Sequence, residues 1–505
     1  MTLLLGILAL GLLLRLLAIS NFHFYTDSYN YMLMAQFFTQ TGQMHGPMGS
    51  TGDLFVPSPS PIYKWGYPLL LSIPIRLDMD PESAGRSLGI LLGCSTIPLA
   101  YYFSKKLHGN IRHATWAALL MGFSYENVTW GGFVLTDIPA LFWVLCSCCM
   151  VVGLHGWLSA IFSGFFLAMA GLTRTELSLL IIPIALFLCF REKKPLGTIF
   201  LFLLVFLSVF LFVIFHFGDQ IPIQESQGEK EISSMFVKVL GRFLHLERLD
   251  VRHVFTFMMA EAALCWTAFI GCVLWFKEGE KGKLLLLGSY LCPLILLYNV
   301  SLNEHHRYYT QLLPALVIPS SYALGAGFDS KRVANRLWRW IMISLPWVAA
   351  LGIFLQCVQV VSKGHRSMDY PQESARWVKR LLDDGKIKRY EKIFGVQERA
   401  LYFYTEMECR KLSGQFPYMN VEGITGGETV LLLVDEIQVR PSMPGFMEAI
   451  EEDPRSFLVD RRESEALLLP VYGRHPGQER TVYLWRVPGD LLWSLAQGHW
   501  KVERG

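Results

Sequence analysis

Acidic and basic side chains lie at the ends of apolar segments throughout this 505-residue sequence. Asp27 follows the apolar run 2–19, and Asp137 opens the apolar stretch TDIPALFW. Arg174 lies in the short connection TRTE, and Arg307 precedes another apolar run in HHRYYTQLLPALVIP. A carboxylate can take the proton of an attacking hydroxyl or amine, and a planar guanidinium binds phosphate oxygens well. These residue types suit the transfer of a group from a phosphate donor that is anchored in a membrane.

Each of these residues also has a local structural explanation. Asp27 can cap the helix predicted for SYNYMLMAQFF, and Asp137 can cap a helix whose first turn contains Pro139. Arg174 and Glu176 can simply pair with each other. The capping and catalytic interpretations of the two aspartates are compatible, because a cap also holds a carboxylate rigidly.

The stretch NEHHRYY contains an acid, two histidines, an arginine and a tyrosine: Glu304, His305, His306, Arg307 and Tyr308. The adjacent histidines would point in different directions on a helix, so anion binding is favoured over metal binding. A polar helix end with a snorkelling arginine and tyrosine remains an alternative.

Four further residues accompany these groups. Arg15 lies inside the first apolar run, where it can snorkel to the surface or pair with an acid. Lys64 follows Tyr63 in PIYKWGYPLLL and adds a cation, and Tyr29 stands two residues after the first aspartate.

The elements that must position these residues are membrane helices. The chain is 52% hydrophobic and has a mean hydropathy of +0.35, which is too apolar for a soluble enzyme. Since a bilayer crossing needs roughly 20 apolar residues, the sequence predicts about eleven transmembrane helices. They lie near 2–19, 86–104, 114–126, 133–152, 156–172, 176–190, 196–216, 254–276, 284–300, 308–326 and 337–361.

The distribution of Lys and Arg predicts the orientation of these spans. With a cytoplasmic N-terminus, four of the five cytoplasmic loops are rich in Lys and Arg, as in SKKLHGNIRH, REKKPLG and KEGEKGK. The candidate site residues named above then all lie towards the outer face of the membrane. The first outer loop, 20–85, is long, and its segment 67–77 is apolar but too short to span, which indicates an interfacial or re-entrant helix.

Beyond 361 the composition becomes that of a soluble protein. Strand-like runs at 392–396, 429–436, 465–472 and 481–487 and helix-like runs at 374–384 and 443–453 predict a small α/β domain. The expected organisation is therefore a polytopic α-helical membrane domain, 1–361, and an extracytoplasmic α/β domain, 362–505.

The motifs, in their order and spacing, resemble the GT-C superfamily of glycosyltransferases. RLLAISNFHFYTDSYNYMLMAQ is similar to the first acidic motif of the branch that contains protein O-mannosyltransferases and bacterial lipid A aminoarabinose transferases. PIYKWGYPLLLSIP, TDIPALFW, AGLTRTELSLLIIP, HHRYYTQLLPALVIP and YPQESARWVKRLLDDG resemble its later motifs. Two departures are Ser28, where many members carry Glu beside the first Asp, and Thr175, where Pro is frequent. The first departure makes a metal site of two acids less favourable.

The resemblance implies an inverting transfer of a sugar from a polyprenyl- or dolichyl-phosphate donor to a protein, lipid or glycan acceptor. Asp27 would be the catalytic base, and Asp137 would assist it or orient the acceptor. The implied donor-phosphate ligands are Lys64, Arg174, His305, His306 and Arg307. The supporting residues are Arg15, Tyr29, Tyr63, Glu176, Glu304 and Tyr308. No cofactor is required if these cations supply the positive charge, although a divalent metal stays an alternative.

Other functions predict other sequence features. A flippase or transporter of lipid-linked sugars predicts internal repeats and ionisable groups near mid-membrane, and no clear repeat is present. An O-antigen-type polymerase or ligase would not need the soluble tail, and no polybasic run indicates nucleic acid. The predicted location is a prokaryotic plasma membrane. If the chain is an enzyme of the predicted kind, we expect Asp27, Asp137 and Arg307 to line one outward-facing cavity.

Overall fold

The structure is a computed structural model that describes most of the helices and part of the C-terminal region. The described residues are 2–19, 26–43, 45–46, 58–59, 65–192, 195–218, 257–259, 261–300, 306–327, 370–395, 398–411, 424–425, 427–435, 446–466 and 478–496, with a few isolated positions between 344 and 355. Contacts divide the chain into two compact units. Unit 1 comprises Met1–Asn21 and Pro61–Gly364, and unit 2 comprises Phe22–Ser60 and His365–Gly505.

The described α-helices include one in each of the first ten predicted apolar segments, and further helices lie outside these segments. They are α1 Thr2–Ile19, α2 Thr26–Thr41, α3 Gly66–Arg76, α4 Pro81–His108, α5 Ile111–Phe123, α6 Tyr125–Gly131, α7 Asp137–Gly153, α8 Gly156–Thr173, α9 Ile181–Arg191, α10 Pro195–Gly218, α11 Ala262–Lys277, α12 Lys281–Val300, α13 Leu313–Gly327, α14 Tyr370–Asp383, α15 Glu398–Thr405, α16 Phe446–Glu452 and α17 Gly489–Ala496. Two 3-10 helices, Thr175–Leu180 and His306–Leu312, precede α9 and α13. The last predicted span, 337–361, lies almost entirely outside the described residues.

Local sequence signals explain the two-residue connection between α4 and α5. Asp80 caps α4 by accepting a hydrogen bond from the Ser83 amide at 3.0 Å, and Pro81 occupies the first helical position. Gly109 ends α4 in the left-handed conformation with φ of 69°. Asn110 then caps α5 through the Arg112 amide at 2.9 Å, so two residues suffice to reverse the chain.

Several of the described helices have the length and composition of membrane spans. Pro81–His108, Gly156–Thr173 and Pro195–Val213 are long and apolar enough to cross a bilayer, and Thr2–Ala18, Asp137–Gly153 and Ala262–Lys277 are shorter apolar helices. Large apolar side chains such as Phe200, Phe212 and Trp266 are exposed on them, as in helices surrounded by lipid. The chain is an integral membrane protein, and the total of eleven spans stays a prediction.

Gly271 marks a close approach of two helix backbones in unit 1. A Cβ atom at this position of α11 would lie 2.0 Å from the Pro319 carbonyl oxygen of α13. Backbone atoms cannot rotate away, so Gly271→Ala should separate the two helices and lower the free energy of unfolding by about 1–3 kcal/mol. Thermal unfolding in detergent measures this effect.

Gly288 provides the matched control on the neighbouring helix α12. A Cβ atom there would meet nothing within 4 Å, so Gly288→Ala should leave stability unchanged or raise it by about 0.5–1 kcal/mol, because alanine favours a helix. Equal unfolding temperatures for the two variants would contradict the described packing of α11 on α13.

Unit 2 contains a mixed five-stranded sheet. The strands are β3 Ile393–Gly395, β4 Cys409–Lys411, β5 Thr429–Asp435, β6 Phe457–Ala466 and β7 Gln478–Pro488, after the short pair β1 His45–Gly46 and β2 Ser58–Pro59. The order is β4-β3-β5-β7-β6, with β3 parallel to β4 and β5 and the other pairs antiparallel. Alternate residues of β5 pack with α16 and α17 in one apolar core, which contains Val430, Leu432, Val434, Phe446, Ile450, Leu492 and Leu495.

Most of the described elements of the C-terminal region correspond to runs that the sequence predicts, and one strand extends beyond its predicted run. Strands over 393–395, 429–435 and 478–488 and helices over 370–383 and 446–452 correspond to the predicted runs. Positions 465–466 of the strand predicted over 465–472 lie in a strand, and 467–472 lie outside the described residues. That strand, β6, begins at Phe457, and its part 457–464 was not predicted. Its sequence FLVDRRESEA is charged because β6 is an edge strand, and edge strands carry charges that prevent further pairing.

Helix α2 belongs to unit 2 and packs on its helices. The ring of Tyr29 lies 5.5 Å from that of Phe403 and 6.0 Å from that of Tyr404, both in α15. These centroid distances are typical of stabilising aromatic pairs. The first acidic motif is therefore anchored by an aromatic cluster with residues about 375 positions away in sequence.

Candidate active site

The carboxylate of Asp137 is bound by Arg174 inside unit 1. Helix α7 begins at Asp137, and Thr136, in the N-cap position, makes no side-chain capping hydrogen bond. Arg174 Nη1 donates to Asp137 Oδ1, and both side chains are 1% exposed. Asp137 is thus the first residue of its helix and an ion-pair partner, rather than the N-cap that its sequence context also allowed.

Glu176, which lies two residues after Arg174 in the TRTE connection, binds the same guanidinium. Arg174 Nε donates to Glu176 Oε1 at 2.7 Å. The backbone of Arg174 is extended between α8 and the 3-10 helix that follows it, and this geometry directs the guanidinium towards the start of α7. The predicted Arg174–Glu176 pair is present, and Asp137 completes a three-residue ionic cluster.

Tyr308 brings a second arginine to this cluster. The Arg174 guanidinium carbon lies 4.3 Å from the centre of the Tyr308 ring, and that of Arg307 lies 5.4 Å from it. Both distances are within the range of cation–π attraction. An aromatic face can stabilise two positive groups that would otherwise repel each other, so the Tyr308 ring helps to hold Arg307 near Arg174, the arginine that binds Asp137.

The 3-10 helix His306–Leu312 is fastened to its neighbours by hydrogen bonds. Gln311 Nε2 donates to the Asp137 main-chain oxygen at 2.7 Å, and Tyr290 donates to the Gln311 main-chain oxygen at 2.8 Å. Within the helix, the Thr310 hydroxyl donates to the Arg307 main-chain oxygen at 2.7 Å. Arg307 therefore projects from a short element that is tied to α7 and α12.

Two buried acids adjoin this network and were not predicted from the sequence. Glu126 accepts a hydrogen bond from the Trp130 indole and lies 3.4 Å from the Thr310 hydroxyl. Glu261 accepts from the Ser124 hydroxyl at 2.6 Å and from the Glu126 amide at 3.0 Å, and so supports the start of α6. Glu261 could have been found from its position in an apolar segment. Burying an acid there costs free energy unless hydrogen-bond donors or a cation bind its carboxyl group.

Arg15 makes its described hydrogen bonds to α1 and α5 of unit 1. It is fully buried, and its Nη1 donates to the carbonyl oxygens of Gly11 at 2.9 Å and Gly122 at 3.2 Å. Snorkelling to the surface is therefore wrong for this residue. Gly93 leaves room for its side chain, because a Cβ atom there would approach Arg15 Nε to 2.9 Å.

The remaining predicted site residues lie in unit 2 or outside the described residues. Asp27 stands in the first turn of α2 and is half-buried, and Tyr29 is fully buried. That Asp27 shares a cavity with Asp137 and Arg307 stays a prediction. Tyr63, Lys64, Glu304 and His305 and the side chain of His306 lie outside what the structure describes.

A metal site was one alternative for these acids and histidines. Within the described residues, no group of three or more His, Cys, Asp or Glu side chains has an arrangement that could hold a metal ion. Asp137 and Glu176 instead bind Arg174. Glu126 accepts from an indole, and Glu261 accepts from a hydroxyl and a main-chain amide.

Part of the chain matches a known protein family. Residues 65–215 match the family described as dolichyl-phosphate-mannose-protein mannosyltransferase. This range includes Asp137, Arg174 and Glu176, whereas Arg307 and Tyr308 follow it. No curated protein matches the chain significantly in sequence.

Solved structures share the fold over most of the chain. ArnT from Cupriavidus metallidurans bound to undecaprenyl phosphate is 11% identical, with a TM-score of 0.58 over 95% of this chain and 97% of that one. Its apo form is 12% identical, with a TM-score of 0.54 over 97% and 98%. The Archaeoglobus fulgidus oligosaccharyltransferase tethered with an acceptor peptide containing the NVT sequon is 10% identical, with a TM-score of 0.55 over 88% and 70%. The chain resembles GT-C superfamily members and has their fold.

Proposed function

We propose that this protein is a membrane glycosyltransferase that moves a sugar from a polyprenyl- or dolichyl-phosphate donor to a protein, lipid or glycan acceptor. The observation that carries the proposal is the Asp137–Arg174–Tyr308–Arg307 cluster, which combines a buried acid with two arginines. A part of this cluster lies in the matched mannosyltransferase region. The related fold of a protein solved with undecaprenyl phosphate supports a lipid-phosphate donor.

The proposed reaction is one displacement with inversion at the anomeric carbon. The acceptor oxygen or nitrogen forms the new bond to this carbon, and the bond from the carbon to the phosphate oxygen breaks. Asp27 takes the acceptor proton as general base, and the electron pair of the broken bond leaves with the polyprenyl phosphate. Asp137, held by Arg174, orients the acceptor or assists the base.

The leaving phosphate gains negative charge, which preorganised cations stabilise well in a poorly hydrated site. Arg307 is the described cation that we assign to it, together with Lys64, His305 and His306 from the sequence. Arg174 is bound by two carboxylates. We therefore assign it first to the orientation of Asp137 and second to the phosphate. With these cations the step itself needs no metal.

The lipid donor requires access from the bilayer. The apolar helices of unit 1 supply a surface that accommodates a polyprenyl chain, and α3 adds an apolar segment too short to span. From the charge of the loops we place the N-terminus in the cytoplasm and the C-terminal domain outside, in a prokaryotic plasma membrane.

A donor panel tests the proposal. Purified protein in proteoliposomes should consume at least one polyprenyl- or dolichyl-phosphate sugar and release the free lipid phosphate, both measured by mass spectrometry. A membrane extract of the organism that makes the protein is added to supply the acceptor. If a monodisperse preparation consumes no member of a hexose and pentose panel under these conditions, the proposed function is wrong.

Arg307→Met should weaken the use of the donor. A charge-assisted hydrogen bond to phosphate is worth roughly 1.5–3 kcal/mol, so KM for the lipid-phosphate sugar should rise about 10- to 100-fold. Lys106→Met is the control, because Lys106 is an exposed cation of a predicted cytoplasmic loop. An unchanged KM in Arg307→Met would remove this residue from the phosphate site.

A further inference from the structure

Gln311 makes a buried contact that links the arginine-bearing 3-10 helix to the start of α7. Its side chain is fully buried. Its Nε2 donates to the Asp137 main-chain oxygen at 2.7 Å. The bond therefore joins the element of Arg307 to the residue whose carboxylate binds Arg174.

The orientation of this amide is fixed by its partner. A main-chain carbonyl oxygen can only accept, so the nitrogen of Gln311 must face Asp137. The amide oxygen of Gln311 is then buried, with no hydrogen-bond partner among the described residues. Burying an amide with one half unsatisfied costs free energy, and an apolar residue of similar size would avoid that cost. A role in overall stability alone therefore explains this glutamine poorly.

The geometry of a 3-10 helix connects Gln311 to both arginines. Residues three apart are eclipsed along such a helix, so Tyr308 and Gln311 share one face. That face meets the Asp137–Arg174 pair through the Tyr308 ring and the Gln311 amide. Arg307 is adjacent to this face, and its main-chain oxygen is held by the Thr310 hydroxyl one turn later. A shift of Gln311 would move Arg307 with it.

We propose that Gln311 is a positioning residue, which sets the place of the Arg307 guanidinium relative to Asp137 and thereby its affinity for the phosphate of the lipid donor. The inference rests on the proposed function, because it takes Arg307 as a phosphate ligand. Gln311 acts through Arg307 and needs no contact with the lipid.

A double-mutant cycle on lipid-phosphate binding tests this role. The full chain in detergent is titrated with undecaprenyl phosphate and with dolichyl phosphate, and binding is measured by native mass spectrometry. Gln311→Met should weaken binding about 10-fold, and Arg307→Met by about 10- to 100-fold. If Gln311 acts through Arg307, the double variant should bind no more weakly than Arg307→Met, within roughly 2-fold.

Two further variants separate positioning from general destabilisation. Ser320→Ala removes another buried side-chain hydrogen bond to a main-chain oxygen, that of Leu264 at 3.0 Å, and should leave lipid-phosphate affinity unchanged. Gln311→Leu also has an apolar side chain of similar size and loses the donor, so it should weaken binding as Gln311→Met does and serves if the latter does not fold.

Each outcome decides one of the two proposals. If the wild type binds and Arg307→Met weakens binding, but Gln311→Met and Gln311→Leu bind normally, the positioning role is wrong. The positioning role is also wrong if the fold-losses in lipid-phosphate affinity of the two single variants multiply in the double variant. If the wild type binds neither lipid phosphate, the proposed donor class itself fails.

Discussion

Replacing Asp27 with asparagine should lower the rate of sugar transfer by about 10²- to 10⁴-fold, the usual contribution of a general base. Asparagine has nearly the same shape and can still accept a hydrogen bond at the start of α2, but it cannot take the acceptor proton. The structure gives α2 a firm anchor, because Tyr29 packs on Phe403 and Tyr404. The helix should therefore survive the change, and turnover at saturating donor measures the effect.

Asp383→Asn is the control for this substitution. Asp383 is an exposed acid of unit 2 that pairs with Lys379 at 2.9 Å, and its loss should leave turnover unchanged. The unfolding temperature of both variants should match that of the wild type. Turnover of Asp27→Asn within a few-fold of the wild type would leave Asp27 with only a structural role in the first turn of α2 and would require another base.

Arg174→Met should lower the free energy of unfolding by about 3–5 kcal/mol, because it leaves the buried Asp137 carboxylate without its cation. Glu176 would lose the same partner, although it is less deeply buried. Methionine fills a similar volume, so the loss would come from the uncompensated charge rather than from a cavity. Thermal or denaturant unfolding in detergent measures it.

Neutralising the acids as well tests that explanation. The triple variant Asp137→Asn, Arg174→Met and Glu176→Gln leaves no charge on these three residues and should recover more than half of the stability lost in Arg174→Met. If the single variant unfolds at the wild-type temperature, the described ion pair does not exist in the folded protein.

The sequence predicts site residues best where an ionisable group interrupts an apolar pattern. Asp137, Arg174 and Arg307 stand at such interruptions, and the structure places all three in one cluster. Their distances could not be predicted, since they depend on how three separate helix ends meet. Gln311 escaped notice because a glutamine near a helix end is ordinary in sequence, and its importance comes from a contact across 174 positions.

The same distinction applies to the fold. Long apolar runs predict helices such as α4, α8 and α10, because a helix that crosses the lipid needs about 20 apolar residues. Most of strand β6 was not predicted, because pairing with β7 satisfies its backbone hydrogen bonds while many of its side chains are charged. The grouping of α2 with the C-terminal unit was also unpredictable, since the packing of Tyr29 against Phe403 joins distant parts of the chain.

The stereochemistry of the transferred sugar shows whether the protein is an inverting glycosyltransferase. Proteoliposomes would receive a polyprenyl-phosphate sugar labelled with ¹³C at its anomeric carbon, and NMR would follow that carbon. We expect release of one lipid phosphate for each sugar transferred, with the opposite anomeric configuration in the product. Retention of configuration would contradict a single displacement. Movement of the intact lipid-phosphate sugar across the bilayer, without cleavage, would contradict the glycosyltransferase itself.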